Sequence, residues 1–402
     1  MTSWDRRILV VGAGFAGAVH ARALAEAGYE VDVIDQRPHI AGNAFDSVDD
    51  NGVRVHRYGP HLFHTNNERV VDWMARFTTL VPYEHKVLAE VTPQLLVPLP
   101  VNRRTIAEVF GTPLPDEAAA RAFLDTLAEP IDAPANAAEY LYSRIGRRLT
   151  DLFFRPYTRK MWAMDLEEMS AAVVQRIPLR TDDEDRYFPN DRFQFLPADG
   201  YTAMFERIFD HPRIRVSLST SFAPAMRRGM AHCFNSMPID TYYGDRFGPL
   251  PYRSIRFHHA TEQGETAPAG RAATVNFTDA GPFTRETDWS ALPHHRVLPT
   301  GRRTLTREEP CDYRDNGFER YYPVKTSDGR YDAIYRQYKA LADREEGLTF
   351  IGRCGTYQYL DMHQVINQSL MGVASFLAAA SDAPSGSSAS ASSEPSYQTQ
   401  PG

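Results

Sequence analysis

Gly12, Gly14 and Gly17 form the pattern GxGxxG, and Asp35 closes the alternating run that follows. These residue types suit an anion: Gly12 permits a tight turn, Gly14 lets a pyrophosphate approach the backbone, and Gly17 lets a helix pack closely on a strand. A helix starting there aims its first N–H groups at the phosphates, and a carboxylate at Asp35 can accept hydrogen bonds from a ribose diol. The pattern points to a dinucleotide, against the plainer alternative of a structural turn, and the glycines alone do not separate NAD from FAD. A second group lies in YGPHLFHT, residues 58–65, which holds His61 and His64. Their spacing fits one helix face, yet Gly59 and Pro60 argue for a turn. The pair could bind a metal, move a proton or shape a loop against something large; a metal needs further ligands, which the neighbouring sequence does not offer.

The elements that must position these groups can be read from periodicity. Residues 8–11 are a short buried run, 13–27 are rich in helix formers, Gly28 ends that helix, and YEVDVID alternates into a second strand, giving one βαβ unit. After Asp35 the chain runs straight into QRPHIAGNAFD, an extended stretch that suits a longer, buried cofactor. No second GxGxxG occurs, so a flavoprotein of this kind has no built-in nicotinamide domain and an external donor must reduce it. Residues 66–186 carry mostly helical signals, interrupted by the proline-spaced PQLLVPLPVNRRT. From about 213 to 325, runs such as RIRVSL, YRSIRFHHA, AATVNFT and HRVLPT suggest a β-rich layer. LTFIG and the helix after it, with Val365, Leu370, Val373 and Leu377 on one face, make a last strand, turn and helix. Residues 381–402 are Ser, Pro, Ala and Gln with little apolar bulk and are expected to be disordered.

At 402 residues the chain exceeds one core, so two or three packing units are expected. Lys and Arg number 44 against 51 Asp and Glu, a net charge of −7 without long runs of one sign, which gives no electrostatic reason to expect nucleic acid. Cys233, Cys311 and Cys354 lie far apart and form no CxxC pair, which fits a reducing cytoplasm rather than a disulfide framework. No apolar stretch approaches a membrane span or a signal peptide, so a cytoplasmic protein without membrane insertion is expected.

Taken in order, VVGAGFAGAVHARALAEAGYEVDVID, GNAFD, YGPHLFHT, RPYTRKMW, RYFPND, DGYTAMFE, YYPV and GRCGTYQYLDMHQVI resemble the bacterial UDP-galactopyranose mutases, from about residue 6 to 378. The resemblance implies an α/β fold: a discontinuous Rossmann-type FAD-binding domain (1–65, about 190–245 and 346–380), a helical substrate-binding domain (about 100–188) and a twisted antiparallel sheet domain (about 66–99 and 246–345). It implies redox-neutral interconversion of UDP-galactopyranose and UDP-galactofuranose with FAD in its reduced form, N5 attacking the anomeric carbon and displacing UDP. It also implies galactofuranose supply for the cell envelope, and a homodimer.

The same resemblance carries over residue by residue. Phe153, Tyr157 and Trp162 match the uracil-stacking region, although aromatics at that spacing also suit a helix core. Arg176 and Arg285 match the diphosphate arginines, with Arg180 as a substitute for Arg176. Tyr187, Tyr322 and Tyr359 match phosphate- and sugar-binding tyrosines, with Tyr321 beside Tyr322, and Asp361 matches an acid near the substrate. Gly42, Asn43 and Arg353 join Gly12, Gly14, Gly17 and Asp35 as cofactor contacts. His61 and His64 match a histidine loop beside the isoalloxazine, with His64 favoured for N5 and no metal expected. The family often carries a glycine pair where Ala41 precedes Gly42 here, and no loss of FAD binding is expected from that change. The competing reading is an FAD-dependent oxidase or dehydrogenase of amine-oxidase type, which shares the N-terminal fingerprint.

Overall fold

The computed structural model describes residues 6–175, 179–264, 272–293, 301–326 and 328–382. Strand β1 (Arg7–Val11), helix α1 (Phe15–Glu26) and strand β2 (Glu30–Ile34) form the expected βαβ unit. Ile8, Leu9, Val10 and Val11 are all buried, as a parallel strand covered on both faces requires. The sheet around them has the order Ile214–Ser217, β2, β1, His232–Asn235, Leu348–Phe350, every pair parallel. Its strands come from segments widely separated in the chain. Residues 214–217, which the local pattern grouped with the β-rich layer and the resemblance put in the Rossmann-type domain, sit on the edge of this sheet: the local pattern gave the strand but not its partner. The final helix, Met362–Asp382, packs Val365, Leu370, Val373 and Leu377 into the core that also holds Ala18, Val19 and Leu24 of α1. It reaches two residues into the stretch expected to be disordered; residues 383–402 lie outside the described residues.

A second sheet has seven strands in the order Tyr322–Pro323, Tyr252–Gln263, Arg302–Asp312, Arg285–Asp288, Thr274–Phe277, Val87–Thr92, Leu95–Leu99. It departs from the antiparallel expectation at one pairing, where Thr274–Phe277 runs parallel to Val87–Thr92. The run HRVLPT, residues 295–300, lies outside the described residues. Residues 66–99 divide: Val70, Trp73 and Met74 of the helix Glu68–Ala75 pack into the core of the parallel sheet, whereas 87–99 supply two strands of the larger sheet.

Helices Arg103–Phe110, Glu117–Leu127 and Ala137–Leu149 bury a separate core around Ile106, Leu124, Leu141 and Ile145. Asn102, Asp116 and Asn136 cap them, each side chain accepting a hydrogen bond from the backbone N–H three residues on. A wide turn at Thr150–Phe154 then delivers the helix Arg155–Trp162, which is pinned to the larger sheet. Lys160 Nζ donates to the carbonyls of Phe277 (3.1 Å) and Phe283 (2.8 Å) and pairs with Asp279, and Arg253 Nε donates to the Met161 carbonyl. No helix among the described residues is long and apolar enough to cross a membrane.

Candidate functional site

The glycine turn has the shape its sequence promised. Gly12 adopts φ +102°, and a Cβ on Gly17 would sit 1.8 Å from the Gly12 carbonyl oxygen, so α1 crosses β1 at a distance only glycine allows. Gly14 and Gly42 face each other, a Cβ on Gly42 falling 3.0 Å from the Gly14 Cα. The first turn of α1 has no side-chain cap, which leaves its N–H groups for an anion. Asp35 accepts from the N–H groups of Ala13 (2.7 Å) and Arg37 (2.9 Å), which fixes its carboxylate at the rim of the turn. Asn43 Oδ1 accepts from Arg37, whose guanidinium also pairs with Glu319 and lies over the Tyr58 ring. Ala41, the departure noted on sequence, holds a left-handed φ of 72° and is buried. These features fit the diphosphate and ribose of a dinucleotide.

Past this turn, the fold brings a ring of polar groups together between the larger sheet and the helix Arg155–Trp162. Arg285 Nη2 donates to the Tyr157 hydroxyl at 3.0 Å, and its Nε lies 3.5 Å from Glu308 on the neighbouring strand. Burial alone would lower the Arg285 guanidinium, but Glu308 and then Tyr157, Tyr322 and Tyr187 hold it above its ordinary value. Burial also outweighs the arginine's pull on Glu308, which sits above the usual carboxylate range. Arg285 Nε, Glu308 Oε1 and His85 Nδ1 are buried without a hydrogen-bond partner among the described residues, an arrangement that costs free energy unless something binds there. Tyr322 stacks on Tyr359 (5.2 Å) and lies 6.1 Å from Trp162. Arg353 donates to the carbonyls of Leu360 and Tyr321, and its guanidinium lies within 6.0 Å of the rings of Tyr321, Tyr322 and Tyr359.

The two histidines of YGPHLFHT part company. His61 donates Nδ1–H to the Gly59 carbonyl at 2.9 Å, leaving Nε2 as an acceptor. Desolvation, with Arg353 among the nearby charges, pushes this imidazole down to about 3, so it is neutral. His64, on the strand Phe63–Thr65, hydrogen-bonds Asp191 at 2.6 Å, stacks on Phe188 and meets His363 edge-on. His61 thus shares Arg353's surroundings, whereas His64 faces Asp191, Phe188 and His363.

Phe153 packs into the helical core, as the plainer reading of its spacing allowed. Tyr157, Tyr187, Trp162, Arg285, Tyr322, Tyr359 and Arg353 gather in one region, with Asp361 at the entrance to the final helix. Arg176 lies outside the described residues, and Arg180 is tied to Asp182. Sequence reasoning missed Glu308, His85, Asp191 and His363. The last two lie inside the quoted runs RYFPND and GRCGTYQYLDMHQVI, but only the fold shows what they face.

Comparison with known proteins places these features in a family. A family model described as UDP-galactopyranose mutase matches residues 152–359, and one described as an NAD(P)-binding Rossmann-like domain matches 10–77. The Klebsiella pneumoniae protein named "Probable UDP-galactopyranose mutase" is 37% identical, covering 93% of this chain and 95% of that one. The Escherichia coli protein named "dTDP-fucopyranose mutase" is 33% identical, covering 90% of this chain and 96% of that one. A solved structure described as reduced UDP-galactopyranose mutase superposes with a TM-score of 0.71 at 19% identity, over 94% of this chain and 96% of that chain.

Proposed function

The chain belongs to the UDP-galactopyranose mutase family, and we propose that it interconverts UDP-galactopyranose and UDP-galactofuranose without net redox change, using reduced FAD. The observation that carries the reading is the buried Arg285, with an unsatisfied Nε, bonded to Tyr157 and ringed by tyrosines. A nucleotide diphosphate is a doubly anionic group attached to a flat base, and it needs a guanidinium fork beside an aromatic face.

In this reading Gly12, Gly14, Gly17, Asp35, Gly42 and Asn43 hold the FAD dinucleotide, in a domain assembled from the separated strands of the parallel sheet. Bound there, reduced FAD would supply a nucleophilic electron pair at N5 for chemistry at the anomeric carbon. The chain's own residues do the rest. Tyr157 and Trp162 stack the base; Arg285, with Arg176, takes the charge that develops on the leaving diphosphate, worth most in a water-poor site. Tyr187, Tyr322 and Tyr359 donate their hydroxyls to phosphate and sugar oxygens. Neutral His61 offers Nε2 as an acceptor on the flavin side, and Arg353 supplies the cation that favours an anionic reduced ring. Asp361 orients sugar hydroxyls. The homodimer, the external reductant and the cytoplasmic setting belong to the same proposal.

The test is to incubate dithionite-reduced protein with UDP-galactofuranose while following product by chromatography and flavin by absorbance. Many turnovers to UDP-galactopyranose with the flavin still reduced support the reading. Substrate-driven bleaching of the oxidised protein, followed by reoxidation in air, would support an oxidase instead. Because one relative is a dTDP-fucopyranose mutase, a parallel arm uses that sugar; faster turnover there would keep the reaction class and change the substrate.

A further inference from the structure

Three side chains from two distant stretches of the chain converge beside the proposed substrate region. His64 comes from the strand Phe63–Thr65, Asp361 immediately precedes the final helix, and His363 sits in that helix's first turn. One ligand-type atom from each lies within 4.8 Å of the other two, and all three residues are partly exposed, so an ion could reach them. The His64 ring meets the His363 ring edge-on at 5.4 Å.

The surroundings of His64 sharpen the picture. Its Nδ1 hydrogen-bonds Asp191 Oδ2 at 2.6 Å, and a carboxylate accepts, so Nδ1 is the donor and Nε2 is the nitrogen left to face an ion. Asp191 is itself steadied by the side-chain amide of Asn66, at 2.9 Å from Oδ1. Phe188 stacks flat on the imidazole at 3.6 Å and sets the ring's plane. A carboxylate holding the far nitrogen of a histidine is how protein metal ligands are usually oriented, and it raises the basicity of the nitrogen that binds. Two imidazoles and one carboxylate suit first-row divalent ions such as Zn²⁺, and leave coordination positions open to outside oxygen donors.

We infer that His64, Asp361 and His363 form a binding site for a borderline divalent transition-metal ion, oriented by the Asp191–His64 hydrogen bond. The ion takes Asp361 away from the sugar, so micromolar Zn²⁺ acts as a reversible inhibitor; that consequence, unlike the site, rests on the proposed function.

Equilibrium dialysis of the full-length protein against Zn²⁺, with metal analysis, tests the site without any assay of activity. One equivalent should bind tightly. His363→Ala should lose that equivalent, and Asp191→Asn, which touches only the orienting bond, should weaken it about 10- to 100-fold. Melting temperatures near that of the parent protein verify that both variants are folded. Equal Zn²⁺ binding by parent and His363→Ala, or an affinity unchanged in Asp191→Asn, overturns the proposal. Zn²⁺ binding by a protein that turns over no nucleotide sugar would leave the site standing and remove the mutase reading.

Discussion

At the residue scale, Arg285 and Glu308 carry the sharpest expectations. They stand directly opposite each other on neighbouring antiparallel strands, so the register itself makes the pair. Arg285→Ala removes charge-assisted donors worth about 1.5–3 kcal/mol, and the KM for UDP-galactofuranose should rise roughly 10- to 100-fold with FAD retained. The same change strands a buried carboxylate, costing about 3–5 kcal/mol of stability. Adding Glu308→Gln should restore the melting temperature but not KM; a double variant with parental KM would remove Arg285 from the substrate site. Arg285 was legible in FTRETDW because the family motif marks it, whereas Glu308 was one acidic residue in a charged strand until its partner strand was known. Ala41 shows the opposite limit: its identity was plain, but the left-handed backbone it must hold was not, because φ is set by the contacts of the turn.

Among the elements, the helix Arg155–Trp162 positions two of the proposed base-stacking residues, and its attachment is specific. Lys160 is nearly buried and satisfies two backbone carbonyls across the gap to the larger sheet. Lys160→Met keeps the aliphatic stem and leaves those carbonyls without their donor, at about 1–3 kcal/mol. The helix should loosen, raising KM several-fold while the flavin absorbance stays normal; unchanged KM would mean the attachment has no part in binding. Periodicity located α1, β2 and the final helix within a few residues, because their apolar spacing is set by burial on one face. It could not assign Ile214–Ser217 to a sheet, nor foresee the parallel pairing of Thr274–Phe277 with Val87–Thr92. Strand partners are chosen by contacts far apart in the chain, which a local pattern does not encode.

For the whole molecule, buried histidines set an acid limit. Desolvation pushes His20 down to about 4 and His61 and His85 to about 3, against an ordinary 6.5. The unfolded chain therefore takes up three protons that the folded chain refuses. This stability is fully present above a pH of about 6.5 and is lost as pH falls from there toward the folded values. At about 1.4 kcal/mol per unit for each group, the loss on going to about pH 5.5 reaches roughly 4 kcal/mol. Urea midpoints should drop accordingly between about pH 7.5 and about pH 5.5, and coincident midpoints would refute the assignment. The order of strands in the parallel sheet has a consequence for biosynthesis. The first strand is translated near residue 7, while the strand that completes the sheet beyond His232–Asn235 is not translated until residue 348. At roughly 5–20 residues per second, about 20–70 s pass before the sheet is complete. A nascent chain of this protein should thus depend on chaperones that shield the incomplete sheet, and should complete its dinucleotide site only after Leu348–Phe350 has been made.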